Sequence, residues 1–520
     1  MNNPSAPDLA AQFRQAFARH QAGDLNGAAA LYGQILTAQP RHFDALHLLG
    51  VLRLQTGDAA GAAGLIRQAL AVDGAQVAAL SNLAAALNAL NDHVGALTSL
   101  DRALALTPDN AEVHYNRAVT LRHLKHEDEA LDGFTRALAV APAHLSARIG
   151  RGALLRDLGR PHDALTDLDA ALTAAPTHAV AHYNRSQALK DLNDATRAET
   201  AFRAATQSAP DFAEAHVGLA EMLLLTGQDA EGWREYEWRW RTAGLSGAAR
   251  SFAQMQWTGA QSLRGKTILI HAEQGFGDSL QVCRLVPAVE RLGAKVVLEA
   301  PKPLQRLLST VAGVSAVIAA GEPLPPFDLH CPLLSLPLAL NAPRTFPGPY
   351  LHVDAALAET WRAQVSAWPH PRVGLAWAGR PTHRNDRNRS LGFHHLTPVL
   401  RQAGTFVSVQ KDMSADDRAA LHASPQVMDA GANLSDFADT AALVSQLNLV
   451  IAVDTAVAHL AGALGKPVWI MLPFAPDWRW GLNQAETPWY PSARLYRQPA
   501  PGDWASVIAR IADDLTQFTR

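Results

Sequence analysis

A 34-residue period dominates the first half of this 520-residue chain. Six similar segments end at a proline or glycine, and each end lies 34 residues after the one before: Pro40, Gly74, Pro108, Pro142, Pro176 and Pro210. A small residue stands twelve positions before each end, at Ala28, Ala62, Ala96, Ala130, Ala164 and Ala198. A bulky residue follows four positions later, at Tyr32, Ile66, Leu100, Phe134, Leu168 and Phe202. This pattern predicts one helix pair per unit, because small residues let two helices approach and a terminal proline or glycine ends the second helix.

The pattern resembles the tetratricopeptide repeat, whose period is 34 residues. The resemblance covers about residues 9–242, as six full repeats and a capping partial repeat, and it implies a right-handed α-solenoid. A solenoid needs its last apolar face covered. We therefore expect Trp233, Trp238 and Trp240 of the partial repeat to cap the stack.

Asparagines recur at one repeat position on the first helix of a pair, at Asn82, Asn116 and Asn184. This half also resembles the O-GlcNAc transferases, in which asparagines at that position line the groove and bind the backbone of the acceptor. The resemblance implies that these three residues bind an acceptor peptide. Leu48 and Gly150 hold equivalent positions in other repeats. A polar helix face without a ligand is the alternative.

The second half is a different kind of structure, because the period stops and all 12 tryptophans lie at or after Trp233. Apolar runs typical of strands alternate with runs typical of helices. The strand-like runs are 266–271, 295–300, 314–320, possibly 328–333, then 372–378, 405–410, 447–454 and 467–472, and the helix-like runs are 279–293, 303–311, 435–446, 455–464 and 503–518. A Pro-rich stretch, 321–350, separates the two series. The alternation predicts two doubly wound parallel-sheet domains, 265–350 and 351–520, that face each other across a cleft.

Ligands of such sheets bind at the carboxyl ends of the strands, and the first such motif is HAEQGFGDSLQ after the strand 266–271. Its glycines, Gly275 and Gly277, permit a tight turn and a close approach to a ligand. Asp278 stands where the next helix begins. Two interpretations remain open for Asp278: an N-cap, or a general base that takes the proton of an acceptor hydroxyl.

Three further strand ends carry polar residues. The segment AWAGRPTHRNDRNRS is either a solvated basic loop or a phosphate site, and it contains Gly379, Arg380, Arg384, Arg387, Arg389 and Ser390. Asp454 and Thr455 end a strand just before a helix, whose N-terminus could bind an anion. His459 lies on the same side of that helix, although alone it is more typical of a structural histidine. Gln410 and Lys411 end another strand, where a nucleobase or ribose could bind.

Together these motifs resemble the bacterial heptosyltransferase family (glycosyltransferase family 9, GT-B architecture) over about 265–518, most specifically in DTAVAHLAGALGKPV. The resemblance implies that Asp454, Thr455, Ala456 and His459 contact a diphosphate-sugar donor, with Ala456 standing where the family has glycine. It also implies that Gly277 and Asp278 form the turn that carries the catalytic base, and that Arg389 lies near the donor phosphates. The segment 478–498 resembles relatives in which this domain is fused to tetratricopeptide repeats, and Trp478, Arg479 and Trp480 either close the donor pocket or pack the two domains together.

The expected function is that of an inverting, metal-independent glycosyltransferase without a cofactor. Its donor would be a nucleotide-diphosphate sugar and its acceptor a protein or peptide recruited by the repeats. Two alternatives stay open: a scaffold whose transferase-like domain is inactive, and a transferase acting on lipopolysaccharide or another glycan.

Composition excludes some other classes. The formal net charge of −3 does not suit a generic nucleic-acid binder. No run of 18 apolar residues is free of charge, so no membrane span is expected, and the N-terminus shows no secretory signal. Cys283 and Cys331 are the only cysteines, which predicts a reducing, cytoplasmic location.

Overall fold

A computed structural model describes residues 9–345, 348–382 and 385–518. The chain forms two compact units, the first ending at Ala188 and the second beginning at Leu189. The domain boundaries expected at 242, 265 and 350 stay predictions.

The first unit is built from paired helices, as the repeat predicts. In chain order these are α1 (Leu9–Gln21), α2 (Leu25–Ala38), α3 (Phe43–Gln55), α4 (Ala59–Val72), α5 (Val77–Ala89), α6 (His93–Leu106), α7 (Ala111–His123), α8 (Glu127–Val140), α9 (Leu145–Asp157), α10 (Pro161–Ala174) and α11 (Ala179–Asp191), the last continuing into the second unit. Several second helices begin at an aspartate whose carboxylate accepts the N–H three residues on, as Asp24 does from Gly27 at 2.9 Å. Such caps satisfy a backbone donor that the helix itself cannot.

The small residues of the repeat allow close packing between its helices. A Cβ at Gly50 of α3 would lie 2.6 Å from Cγ1 of Ile66 in α4. A Cβ at Gly150 of α9 would lie 2.8 Å from the ring of Phe134 in α8. The ring of Phe134 therefore leaves no room for a side chain at Gly150.

The second unit opens with the end of α11 and with α12 (Ala195–Ser208), α13 (Ala213–Thr226), α14 (Asp229–Tyr236) and a 3-10 turn, Glu237–Arg241. A five-stranded sheet follows, formed by β1 (Met255–Gln256), β2 (Thr267–His271), β3 (Lys295–Ala300), β4 (Val314–Ala319) and β5 (Leu329–Pro332). All its strand pairs are parallel, and the spatial order is β1-β5-β2-β3-β4. Its short helices are α15 (Phe276–Val282), α16 (Val286–Arg291), α17 (Gln305–Leu308) and α18 (Leu336–Ala339). We call this sheet and its helices the first lobe.

A six-stranded parallel sheet forms the second lobe. Its strands are β6 (Arg372–Ala376), β7 (Thr405–Ser408), β8 (Val427–Asp429), β9 (Leu449–Val453), β10 (Val468–Leu472) and β11 (Ala493–Arg497). The spatial order is β11-β10-β9-β6-β7-β8, so the order reverses between β6 and β9. The helices of this lobe are α19 (Ala355–Val365), α20 (Asp386–Arg389), α21 (Thr397–Leu400), α22 (Ala415–His422), α23 (Phe437–Ser445), α24 (Ala456–Ala463) and α25 (Trp504–Phe518). The two sheets confirm the predicted fold class: a helical repeat region of fourteen helices within the described residues, followed by an α/β region of the GT-B type.

The prediction of one continuous helix over 279–293 was wrong. The helix expected over 279–293 is divided into α15, a 3-10 turn at Cys283–Leu285, and α16. Pro287 explains the break, because its ring has no N–H and collides with the carbonyl four residues before it in a continuous helix. The strands β1, β8 and β11 and the helices from α18 to α22 had no prediction.

Candidate functional site

The reversal point of the second sheet brings together residues that are far apart in the sequence. Gly379 follows β6, and its N–H donates to Ser390 Oγ at 2.8 Å. Arg389 Nη1 donates to the backbone carbonyl of Asp454, just after β9, at 2.9 Å. This reversal point is where doubly wound sheets bind their ligands.

The N-terminus of α24 opens at the same place. Thr455 is its N-cap, and Ala456 is its first residue. The Thr455 hydroxyl is buried and has no hydrogen-bond partner in the described part of the chain. A helix N-terminus attracts negative charge through its free N–H groups and its dipole. With the Arg389 guanidinium beside it, this end of α24 can receive an anionic group.

Asp454 and His459 are buried at this helix end. His459 Nε2 lies 3.8 Å from Asp454 Oδ1, and His459 Nδ1 lies 2.8 Å from the hydroxyl of Tyr490. Burial raises the pKa of Asp454 to about 6, and the Asp477 carboxylate acts in the same direction. Burial lowers the pKa of His459 to about 3, and the charge of Arg479 adds to this. His459 is therefore a neutral ring held by Tyr490.

Asp278 lies in the first turn of α15, and the structure corrects the N-cap interpretation. Gly275 is the N-cap, and its N–H donates to Asp278 Oδ2 at 2.9 Å. The other oxygen, Oδ1, accepts from Nη2 of Arg479 in the second lobe. The Asp278 side chain keeps 19% of its exposure. Capping and base chemistry are thus compatible, because each carboxylate oxygen has two lone pairs.

Helix α15 of the first lobe packs against α24 of the second lobe. A Cβ at Gly277 would lie 2.9 Å from Cδ2 of His459, so only glycine fits there without displacing the ring. Phe276 meets Phe437 edge to face, with ring centroids 5.3 Å apart. The guanidinium of Arg380 lies 5.5 Å from the Phe276 ring centroid. The residues predicted on the first and second lobes therefore lie where the two lobes pack against each other.

Other predicted donor residues have structural partners. Gln410 Oε1 accepts from the backbone N–H groups of Trp377 and Ala378, at 3.1 and 3.2 Å, and its Nε2 donates to two carbonyls. Lys411 Nζ donates to the carbonyl of Ser435 at 3.1 Å. Gln410 shapes the loop after β6, and contact of either residue with a donor stays a prediction. Arg387 is exposed, and Arg384 lies outside the described residues.

The three asparagines lie half-buried on the first helices of their repeats, α5, α7 and α11. Asn82 Nδ2 lies 2.9 Å from His47 Nε2 on α3, which links neighbouring repeats. Peptide binding by Asn82, Asn116 and Asn184 stays a prediction.

The sequence interpretation named Arg479 but did not predict its contact with Asp278, and it did not single out Asp477, Gln274 or Tyr236. Arg479, in the turn after β10, contacts Asp278 and also Asp477, at 2.8 Å. The Tyr236 hydroxyl, at the end of α14, donates to Gln274 Oε1 at 3.2 Å, four residues before Asp278. The position of Asp477 just beyond a strand end was a signal that could have indicated it.

The tryptophans near this turn pack against each other. Trp478 meets Trp233 of α14 edge to face at 5.3 Å and Trp489 at 5.9 Å. Trp480 stacks on His459 at 5.2 Å. Trp238 stacks on His216 of α13 at 4.0 Å, and Trp240 lies under Arg239. Trp238 thus packs on a repeat helix and Trp233 on the turn after β10, and the capping of the stack by Trp233, Trp238 and Trp240 stays a prediction.

Two negative observations concern the described residues alone. They contain no group of three or more His, Cys, Asp or Glu side chains arranged to hold a metal ion. None of their helices combines the length and the apolar character that a bilayer span requires.

Fold and cleft together define a repeat solenoid joined to a two-lobed α/β domain of the GT-B type. Residues 390–471 match glycosyltransferase family 9 (heptosyltransferase). Residues 13–79, 128–179 and 183–236 match the tetratricopeptide repeat, and residues 85–122 match a further TPR repeat family. The chain therefore carries tetratricopeptide repeats in its N-terminal half and a glycosyltransferase family 9 domain in its C-terminal part.

The protein is also similar to Protein FlbA of Caulobacter vibrioides, at 32% identity over 330 residues. That similarity covers 58% of this chain and 54% of FlbA, so the chain spans about half the length of this relative. Among solved structures, a tetratricopeptide repeat protein from Parabacteroides merdae matches 45% of this chain and 92% of its own, at 17% identity and a TM-score of 0.40. A thermophilic TPR protein of Thermus thermophilus matches 35% of this chain and 98% of its own, at 22% identity and a TM-score of 0.31.

Proposed function

We propose that this protein is an inverting glycosyltransferase that moves a sugar from a nucleotide-diphosphate sugar to a protein acceptor recruited by its repeats. The observation that carries the proposal is the meeting of three features where the two lobes pack together: the N-terminus of α24, the guanidinium of Arg389 and the carboxylate of Asp278 on α15. The family 9 domain supports the coarser statement that the chain is a glycosyltransferase.

The donor diphosphate would bind at α24. Its oxygens carry negative charge that grows as the bond to the sugar breaks, and fixed donors aimed at that charge stabilise the transition state. The unpartnered hydroxyl of Thr455 and the free N–H groups of the first turn of α24 offer such donors. Arg389 supplies a positive charge at the same helix end. In this proposal these groups do the work without a metal ion or a cofactor.

Asp278 would act as the general base. The acceptor hydroxyl attacks the anomeric carbon, its proton passes to the Asp278 carboxylate, and the bond from that carbon to the diphosphate breaks. One displacement from the face opposite the leaving group inverts the configuration. The proposal is supported by the residual exposure of Asp278 and by its place on α15, which packs against α24.

A protein acceptor is proposed because the catalytic domain shares its chain with a repeat solenoid. Solenoids of this kind present extended binding surfaces. Asn82, Asn116 and Asn184 would bind the acceptor backbone. Sugar transfer to a total protein extract and to a total glycan extract can be compared. Sugar incorporated into glycan and not into polypeptide would contradict the protein acceptor while leaving the transferase chemistry intact.

Calorimetric titration with a set of uridine, guanosine, adenosine and cytidine diphosphate sugars tests donor binding. We expect one nucleotide sugar to bind saturably to the intact protein. Arg389→Ala should weaken that binding by about 1.5–3 kcal/mol, the value of a charge-assisted hydrogen bond, which is about 10- to 150-fold in Kd.

Arg362→Ala is the control, because Arg362 is exposed on α19 and pairs with Glu359 at the surface. Equal affinities in the two variants would remove Arg389 from the donor site. Absence of heat with every nucleotide sugar would favour a scaffold with an inactive transferase-like domain.

A further inference from the structure

One buried guanidinium from the second lobe contacts the candidate base of the first lobe. Arg479 is 8% exposed. Its Nε donates to Gln281 Oε1 at 2.6 Å, its Nη1 donates to Asp477 Oδ1 at 2.8 Å, and its Nη2 donates to Asp278 Oδ1. Gln281 and Asp278 both belong to α15 and are three residues apart, so Arg479 forms hydrogen bonds with two side chains on one side of this helix.

The turn that carries Arg479 is itself fixed. Asp477 is the N-cap of the 3-10 turn Trp478–Trp480, and it accepts from the N–H of Arg479 at 3.0 Å. Trp478 is held between Trp233 and Trp489, and Trp480 lies on His459. A turn packed on these sides leaves the Arg479 side chain few alternative directions.

The carboxylate of Asp278 is therefore oriented by both lobes. The Gly275 N–H of its own lobe holds Oδ2, and Arg479 of the other lobe holds Oδ1. Each oxygen keeps one further lone pair. A general base works only when it lies within hydrogen-bond reach of the proton that it takes. Because both oxygens of Asp278 are held in place, the acceptor hydroxyl must bind at one defined position to pass its proton to them.

We propose that Arg479 is a positioning residue for Asp278, so that the base is correctly oriented only when the two lobes are together. The inference rests on the proposed function, since it assumes that Asp278 takes the proton. Arg479 does not exchange a proton in this proposal. Its guanidinium is committed to Gln281, Asp477 and Asp278, which distinguishes it from Arg389 at the donor site.

The test compares chemistry with donor binding. The probe is the nucleotide sugar that binds the intact protein, and the readout is release of nucleoside diphosphate with a total protein extract as acceptor. Arg479→Gln should lower kcat by about 100-fold, the cost of a misplacement of about 1 Å, and leave the Kd for the nucleotide sugar within about threefold of the wild type. Arg479→Lys should recover part of kcat, because it keeps the charge but loses the three-pronged geometry.

Two further variants keep the test decisive. Asp477→Asn weakens the support of Arg479 without touching Asp278, and it should also lower kcat at constant donor Kd. Arg306→Gln is the matched control, because Arg306 makes a bidentate ion pair with Asp436 between the same lobes, at 2.6 and 2.9 Å, but does not contact Asp278. It should lower kcat far less than Arg479→Gln does.

The outcomes separate this inference from the proposed function. An equal fall of kcat in Arg306→Gln and Arg479→Gln would overturn positioning, because any loss of contact between the lobes would then suffice. An unchanged kcat in Arg479→Gln, with an inactive Asp278→Asn variant, would overturn the inference alone. Full activity of Asp278→Asn would contradict the proposed base itself.

Discussion

Two buried histidines at neighbouring strands of the first lobe show how burial controls charge in this protein. His271 ends β2, and its Nε2 lies 3.3 Å from Nδ1 of His330 in β5. Burial lowers the pKa of His271 to about 3, and the charges of His330 and Arg250 act in the same direction. The free side chain has a pKa of 6.5, so folding holds the ring neutral over a range in which the unfolded chain binds a proton.

This difference in pKa makes the free energy of unfolding depend on pH. Because the pKa of His271 is lower in the folded state, the folded protein has its full stability above pH 6.5 and loses stability as the pH falls towards 3. His271→Asn should therefore cost less stability at pH 5 than at pH 7.5, by about 1.4 kcal/mol for each pH unit below 6.5. Urea unfolding of the wild type and the variant at the two pH values measures this.

His422→Asn is the control for the histidine prediction, because His422 is exposed at the end of α22. A stability difference for His271→Asn that stays constant from pH 7.5 to pH 5 would show that the ring is not held neutral.

At the level of elements, the 3-10 turn after α14 is joined to the first sheet by a buried ionic network. Arg239 of this turn donates to Glu237 at 2.6 Å, to Ser335 at 2.8 Å and to Glu273 at 3.0 Å. Glu273 also accepts from the N–H groups of Leu333 and Leu334. Burial raises the pKa of Glu273 to about 7, and Arg239 opposes this shift. The network fixes the start of the loop that leads to Asp278.

Removing the cation of this network should destabilise the second unit strongly. Arg239→Gln leaves the Glu273 carboxylate buried without its positive partner, and loss of one partner of a buried pair costs about 3–5 kcal/mol. Arg241→Gln on the same turn is the control, because the Arg241 side chain is 66% exposed and its pairing with Asp211 is at the surface. We expect the control to change stability by less than about 0.5 kcal/mol, measured by thermal and urea unfolding. Similar losses in both variants would contradict a structural role for the network.

The elements that the sequence predicts well are those with a period or a long apolar run. The 34-residue repeat predicts the helix pairs because the small and bulky residues of every repeat occupy equivalent positions where its two helices pack together. The strands β2, β3, β6, β9 and β10 are continuous apolar runs, which is typical of parallel sheets buried on both faces. The strand-end rule then predicts that Arg389, Asp454 and Asp278 lie in one cleft.

The remaining features depend on contacts between distant segments. Strand β1 has two residues and pairs only because β5 lies beside it, so no local pattern marks it. Arg479 lies 201 residues from Asp278, and nothing in its own segment shows which carboxylate it will meet. The sequence does not reveal the polar network of Arg239 either, because its partners Glu273 and Ser335 lie in loops after different strands.

At the level of the whole molecule, the chain joins a repeat solenoid to a glycosyltransferase family 9 domain. In the proposed function, an acceptor held by the repeats would remain on the same chain as the cleft, and such linkage raises the effective concentration of one binding event for the other. Acceptors shortened so that the repeats no longer bind them should then be poor substrates even where the donor binds normally.

Mass spectrometry of polypeptides from cells that produce either the wild type or the Asp278→Asn variant at equal levels tests the central claim most directly. The account predicts at least one polypeptide that is heavier by a saccharide in cells with the wild type and not in cells with the variant. Identical polypeptide masses in both cells, or the same sugar-bearing polypeptide with the variant, would contradict it.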